Sequence, residues 1–278
     1  GADNTNSYSE YNSWNQLTKT MQNGKTASYT YNGDGLRMSK TVDGKTTKHI
    51  WDGTDIVGDV TDGTVTKYIR GLQLISSKNG SNENFYTYNG HGDVVQLTNN
   101  TGAITKQYNY DAFGVETNKT NNDTNPFRYC GEYYDIETDS VYLRARYYRP
   151  TTGRFITEDS YWNVDNMIYG NSNDKKPNIN AIIQSGSLYI YCNSNPVRMI
   201  DPDGKYIVDS AARNIWRLGA EYYLRNRKGW YLTATLLELS TYGSGQHFEA
   251  HNGEYAADLI KYNSGFRKQV NDYLWSNG

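Results

Sequence analysis

A five-residue phrase, Tyr29-Thr30-Tyr31-Asn32-Gly33, recurs letter for letter as Tyr86-Thr87-Tyr88-Asn89-Gly90, 57 residues later. Three units of about 19 residues fit that interval, and weaker copies mark it. Trp51-Asp52-Gly53 lies 20 residues after Tyr31, and Tyr110-Asp111-Ala112-Phe113-Gly114 begins 22 after Tyr88. Between these anchors run short alternating segments. Leu36 to Val42 leads into Asp43-Gly44, and Val94 to Thr98 into Asn99-Asn100-Thr101-Gly102. Each predicts a strand ending in a tight turn that wants φ > 0. One unit is therefore a hairpin of about two strands. A lone hairpin cannot bury its apolar face, so such units stack side by side into an extended sheet. The ends of that sheet need a cap or a continuation, and the first unit, Tyr8 to Gly24, is expected to present an open edge.

Composition agrees with a sheet. Tyr accounts for 27 of 278 residues and Pro for 5. Aliphatic residues are scarce, and flat aromatic side chains suit a half-wet pleated surface. With 28 Lys+Arg against 30 Asp+Glu, the net charge is -2, so the basic footprint of a nucleic-acid binder is missing and no nucleic acid is expected for residues 1–204. No run approaches the ~18 apolar residues of a spanning helix. The polar opening Gly1 to Asn6 lacks the apolar stretch of a signal peptide. The chain opens in mid-pattern without Met and reads as a piece of something longer. Cys130 and Cys192 form either one bridge or two buried thiols.

The text changes character once. Ala and Leu number 13 in the first 204 residues and 15 in the last 74, while Thr falls from 23 to 3. Helix formers replace β-branched residues at Asp201-Pro202-Asp203-Gly204, itself a turn signal. A boundary is placed there. Beyond it, Val208, Ala211, Ala212, Ile215, Trp216, Leu218 and Tyr222 fall at helical spacing after a cap at Asp209. Trp230 to Leu239 predicts a second helix, and Glu254 to Ile260 with Phe266 to Trp275 a third element. The apolar face at Trp230-Tyr231-Leu232 and Leu236-Leu237-Leu239 suits a small helical bundle, with membrane contact as the alternative. His247-Phe248-Glu249-Ala250-His251 places its Glu one position late for a zinc-protease helix, and Gly243, Gly245 and Gly253 flank it. It is read as a solvated loop pair, and neither a metal nor a cofactor is predicted. The tail holds no evident nucleophile–base pair.

The Tyr-Asn-Gly-Asp-Gly units resemble YD repeats. Pro126-Phe127-Arg128-Tyr129-Cys130-Gly131-Glu132-Tyr133-Tyr134-Asp135 resembles the start of an Rhs-associated core, and so does the stretch from Tyr142 through Arg149-Pro150-Thr151-Thr152-Gly153-Arg154-Phe155 to Asp159. The core then closes with Tyr189 to Pro196 and Asp201-Pro202-Asp203-Gly204. The resemblance covers roughly residues 7 to 204. It implies a C-terminal portion of an Rhs/YD-repeat polymorphic toxin, a bacterial family whose repeats wind as a spiral β-sheet into a hollow shell. Teneurins and the C components of insecticidal Tc complexes share that shell. The expected fold is mainly β: hairpin repeats over 1–125, an Rhs core acting as a plug over 126–204, and a small α-helical C-terminal region over 205–278.

The resemblance also implies chemistry. The family's core is often an aspartic autoprotease, and its two aspartates map onto Asp159 and Asp201, with the cut between Gly204 and Lys205. Two carboxylates are needed because one must stay ionised to take a proton from water while the other polarises the scissile carbonyl. Lys205 stands where the family has Leu, and an insert from Asn163 to Lys176 stretches the spacing to 42 residues, so slow or absent cleavage is expected. Alternatively, both aspartates only cap turns. Arg144, Arg146, Arg149 and Arg154, interleaved with Tyr147, Tyr148 and Phe155, are read as pairing with shell carboxylates and stacking on tyrosines, with anion contact as the other reading. The implied partners are the N-terminal remainder of the shell, a cognate immunity protein and surface glycans, and the implied location is secreted or at the bacterial surface. A non-catalytic surface adhesin that stacks tyrosines on sugars is the alternative function.

Overall fold

The structure is a computed structural model. It describes residues 7–22, 24–120, 123–159, 177, 179, 182, 186–205 and 207–210. These fall into two compact units. One holds residues up to 89 and from 93 to 160; the other holds 90–92 and the rest of the chain.

The first unit is built on an eleven-stranded antiparallel sheet whose spatial order equals its sequence order. Its strands are β1 (Tyr8–Tyr11), β2 (Leu17–Gln22), β3 (Lys25–Tyr31), β4 (Arg37–Val42), β5 (Lys45–Asp52), β6 (Asp55–Thr61), β7 (Thr64–Arg70), β8 (Leu74–Asn79), β9 (Asn82–Tyr88), β10 (Val94–Thr98) and β11 (Ile104–Gln107). The predicted hairpin turn at Asp43-Gly44 is present, both residues having positive φ (49° and 86°). That conformation matches the twist of the strands it joins.

The repeated Tyr-Asn phrase has a physical cause. At the longer loops an Asn or Asp side chain stands in for a backbone turn. Asn32 Oδ1 accepts the amides of Asp34 and Leu36, and the same pair of bonds recurs at Asn12, Asn99 and Asp111. Three residues after each of these the backbone turns left-handed, at Asn15, Gly35, Gly102 and Gly114. At Gly114 a Cβ would sit 2.5 Å from the Tyr129 ring, so only glycine fits.

The aromatic that precedes the loop locks one hairpin to its own first strand. Tyr31 donates its hydroxyl to the Leu17 carbonyl and Tyr88 to that of Leu74, while Trp51 Nε1 donates to Arg37 O. In the unit between them Arg70 takes the aromatic's place, and its Nε donates to Ile56 O. This substitution is why the written repeat skips a copy between Trp51 and Tyr88. The accepting carbonyls lie where the ladder slips register, as between Thr30 and Tyr31 opposite Arg37, and would otherwise lack a strand partner there.

A second sheet of four short antiparallel strands follows: β12 (Tyr133–Asp135), β13 (Ser140–Leu143), β14 (Arg146–Arg149) and β15 (Arg154–Phe155). Its side chains and those of the repeat sheet make one core. Leu17, Ala27, Tyr29, Ile56, Tyr68 and Leu74 pack with Phe127, Tyr133, Tyr142 and Tyr147.

The second unit contains β16 (Met199–Ile200) paired with β17 (Val208–Asp209). Tyr191, Cys192 and Ile200 are buried, and Arg198 pairs with Asp209 at 2.6 Å. Both cysteines are buried thiols outside any disulfide. The predicted tail helices, the His247/His251 pair and the 163–176 insert lie outside the described residues.

Asn32→Ala should cost about 1–2 kcal/mol, the scale of a lost helix cap, because two loop amides lose their acceptor. Urea unfolding of the variant against the parent chain measures it; a cost below the error of that experiment would mean the loop is held by its backbone alone.

Candidate functional site

Arg37 opens β4 at a position where the neighbouring units carry Leu17, Ile56, Leu74 and Val94, and like them it is buried. A buried guanidinium needs internal partners for its donors. Asp135 of β12 takes two of them, Nη1 to Oδ2 at 2.5 Å and Nη2 to Oδ1 at 3.1 Å. Nη1 also reaches the Tyr147 hydroxyl at 3.3 Å, and Nε donates to His49 Nε2 at 3.2 Å. The Tyr142 ring lies 4.2 Å below the guanidinium, while its hydroxyl accepts the Arg37 amide. Lys40 adds ion pairs to Asp135 (2.9 Å) and Glu137 (3.1 Å).

Burial opposes charge on both partners of the central pair. For Asp135 the nearby Arg37 and Lys40 outweigh that cost and hold its carboxyl below the usual range. For Arg37 the Asp135 charge outweighs it and raises the guanidinium further.

A second buried carboxylate, Asp59 of β6, lies nearby on the other side of His49. Asp59 accepts from His49 Nδ1 at 2.6 Å, from Tyr68 at 2.9 Å and from Tyr133 at 3.0 Å. Burial pushes its carboxyl up, but these hydrogen bonds prevail and hold it low. Burial pushes the hydroxyls of Tyr68, Tyr133 and Tyr147 well above their usual range, so they remain donors.

The aspartates named from the sequence fall in different units. Asp159 follows β15, is buried, and pairs with Arg146 Nη1 at 3.3 Å; that guanidinium lies 3.6 Å over the Phe155 ring. Asp201 is buried in the second unit, where its Oδ1 accepts the Lys205 amide at 3.1 Å. Asp203 Oδ1 accepts the same amide at 3.0 Å, and Gly204 is left-handed (φ 73°). The Asp-Pro-x-Gly turn thus holds the nitrogen of the Gly204–Lys205 bond against the Asp201 carboxylate.

The arginines of the motif divide by position. Arg144 pairs with Glu132 and donates to Thr54 O at 3.1 Å, Arg149 reaches Gln22 Oε1 at 2.8 Å, and Arg154 is exposed. Arg128 is buried against Glu116 and Asp123 at 2.6 and 3.3 Å.

The Teneurin YD-shell family model matches residues 4–197. The chain belongs to the YD-repeat shell family. The YD-shell chain is 31% identical to the tRNA nuclease WapA of Bacillus subtilis (strain 168) over 273 residues, 94% of this chain and 11% of that protein. It is 34% identical to the tRNA3(Ser)-specific nuclease WapA of Bacillus spizizenii over 200 residues, covering 69% of this chain and 8% of that one. The chain therefore spans about a tenth of the length of these relatives. Among solved structures, the crystal structure of TcdB2-TccC3-TEV shares the fold, with a TM-score of 0.53 and 19% identity over 71% of this chain and 10% of that one.

Arg37, His49 and Asp59 of this YD-shell chain lie outside the motifs that the sequence singles out, and Asp135 enters only as the last residue of the Rhs-core stretch. A signal for Arg37 existed: a charge at the strand position where the other units place Leu, Ile or Val. His49 and Asp59 carried none, because their partners come from separate strands and from Tyr133, 74 residues beyond Asp59.

Removing one member of the central pair strands a buried charge. Asp135→Ala should therefore cost about 3–5 kcal/mol in chemical denaturation. The double variant Arg37→Met/Asp135→Leu should lose clearly less than the two single losses added together. Additive losses would mean that the two groups act independently.

Proposed function

We propose that this chain is the C-terminal part of the shell of an Rhs/YD-repeat polymorphic toxin, secreted or held at the bacterial surface, which encloses and then releases a toxic segment. In this reading residues 1–125 are shell repeats, 126–204 the core plug, and 205–278 the start or the whole of the cargo. The observation that supports it most is the shared core. The residues that carry the Rhs-core resemblance, Phe127, Tyr133, Asp135, Tyr142 and Tyr147, are those that engage one face of the repeat sheet. A plug has to hold its wall in this way. The proposed partners are the N-terminal remainder of the shell, an immunity protein and surface glycans.

Release would come from cleavage between Gly204 and Lys205, with Asp159 and Asp201 as the proposed pair. The turn supports such a step by position: the Lys205 N–H donates to Asp201 Oδ1, which keeps that carboxyl beside the scissile bond, and the proton for the departing nitrogen would come from the protonated carboxyl of the pair once this bond is given up. Asp159 would be the carboxylate that takes a proton from water, held in place by Arg146 Nη1 at 3.3 Å. Lys205, exposed and charged, lacks the apolar anchor that Leu would provide.

A match over 94% of this chain cannot end at residue 204, so the likeness to the Bacillus subtilis protein extends into the tail. RNA cleavage is accordingly the first cargo activity to test, by scoring tRNA integrity and growth in bacteria that express the whole chain. Loss of tRNA, relieved by a neighbouring immunity protein, supports the cargo reading. An inert chain that binds glycans supports the adhesin instead.

Intact-mass measurement over days tests the release step. The parent chain should cut slowly between Gly204 and Lys205 and Lys205→Leu faster, while Asp159→Asn and Asp201→Asn should stop whatever cutting exists. A cleaving chain that ignores Asp159→Asn would rule out the pair.

A further inference from the structure

His49 sits at the junction of the two sheets with both ring nitrogens already engaged. Nε2 accepts from Arg37 Nε at 3.2 Å, and Nδ1 lies 2.6 Å from Asp59 Oδ1. Arginine has no acceptor atom, so Nε2 must present its lone pair and the ring proton must sit on Nδ1. The imidazole is therefore neutral, a spacer between a guanidinium and a carboxylate. Tyr133 of β12 packs edge-on against it at 5.2 Å and donates to the same Asp59. The ring thus touches the repeat sheet on both sides and the four-stranded sheet on a third.

We propose that His49 is a proton-operated latch between the repeat sheet and the four-stranded core sheet: a proton on Nε2 replaces the bond to Arg37 with two donors facing each other and loosens the hold of the core sheet.

The groups that face His49 come from every strand packed on it. Arg37 of β4 opposes its protonation. Asp59 of β6 favours it. Asp135 of β12, paired with Arg37, adds its own charge in favour of protonation. Tyr133 of β12 and Tyr68 of β7 are neutral and bind Asp59. Trp51, on the histidine's own strand, lies 6.4 Å away, edge-on. Burial is the largest influence and lowers the imidazole; the bond to Asp59 works against it, and Arg37 adds to it, leaving His49 below its usual value of 6.5.

The folded state takes up this proton at a lower pH than the unfolded state. Stability from His49 is complete above pH 6.5 and is lost as pH falls through the folded value. The carboxylates Asp59 and Asp135, both held low, stay ionised over the first part of that fall. The latch would make a mildly acidic surrounding a signal to release the plug. That consequence rests on the shell reading; the latch does not, because the readout below is confined to the two sheets.

The test uses the 278-residue chain. Histidine-selective NMR, with His49→Gln to assign the signal, follows the ring between pH 7.5 and 5. Amide exchange, corrected for its intrinsic pH dependence, is measured at β12, β13 and β14. The ring should titrate below 6.5. Opening of those strands should rise by up to about tenfold per pH unit once pH falls beneath that value. His49→Gln, whose amide can both accept from Arg37 and donate to Asp59 without charging, should remove the rise. His49→Asn serves if the Gln variant does not fold. A ring that titrates at or above 6.5, or a variant with the parent's acid response, overturns the latch. Neither result bears on cleavage at Lys205, so the shell reading stands or falls separately.

Discussion

Arg37 is a cation with no access to water, and much of the first unit is arranged to satisfy it. Its donors go to a carboxylate from the core sheet, an imidazole from the neighbouring strand β5 and a tyrosine hydroxyl from β14, while a tyrosine ring closes its face. None of these partners belongs to the arginine's own strand. The guanidinium is desolvated only when the two sheets are together, and it is stabilised only then. A buried ion pair of this kind adds little to net stability over an apolar one, but it penalises every arrangement in which one partner is missing. It makes the register between the sheets specific.

The same logic extends outward in smaller steps. Tyr147 accepts from Arg37 and lies 3.0 Å from the Tyr31 hydroxyl, which donates to the carbonyl of Leu17. A chain of hydrogen bonds thus runs from one repeat through the core sheet into another. Asp59 gathers three donors from β5, β7 and β12. Tyrosine suits both tasks, because its ring fills apolar space and its hydroxyl ends a network that a leucine would leave open. This is the structural reason for a tyrosine-rich, leucine-poor text. Arg70 shows the tolerance of the scheme. It replaces the anchor aromatic, keeps the bond to the previous strand, and lies 4.9 Å from the Phe127 ring.

The turn at Asp201 belongs to a different order of design. It is local: Asp201 and Asp203 both bind the amide of Lys205, and the proline between them restricts the backbone. Such a turn can be recognised from four letters. Its partner in chemistry cannot, since that depends on long-range placement.

What could be read from the sequence follows the range of the forces involved. The hairpins, their turns and the sequential antiparallel sheet rest on interactions within about 20 residues. The alternation of Leu36 to Val42, the loop-closing Asn32 and the left-handed Gly35 each act on their neighbours, so their letters suffice. The buried network was not legible in this way. Arg37 reads as an ordinary strand arginine until Asp135, 98 residues away, removes it from water. His49 has nothing in its neighbouring letters to mark it, and Arg37 and Asp59 close on it from either side only in the folded chain. The sequence alone determined which strands form and in what order they pair, because neighbouring hairpins have no other way to bury a face. Only the tertiary structure decided which charges are buried, which proton His49 carries and which tyrosines donate, because desolvation is a property of the assembled interface and no single segment contains it.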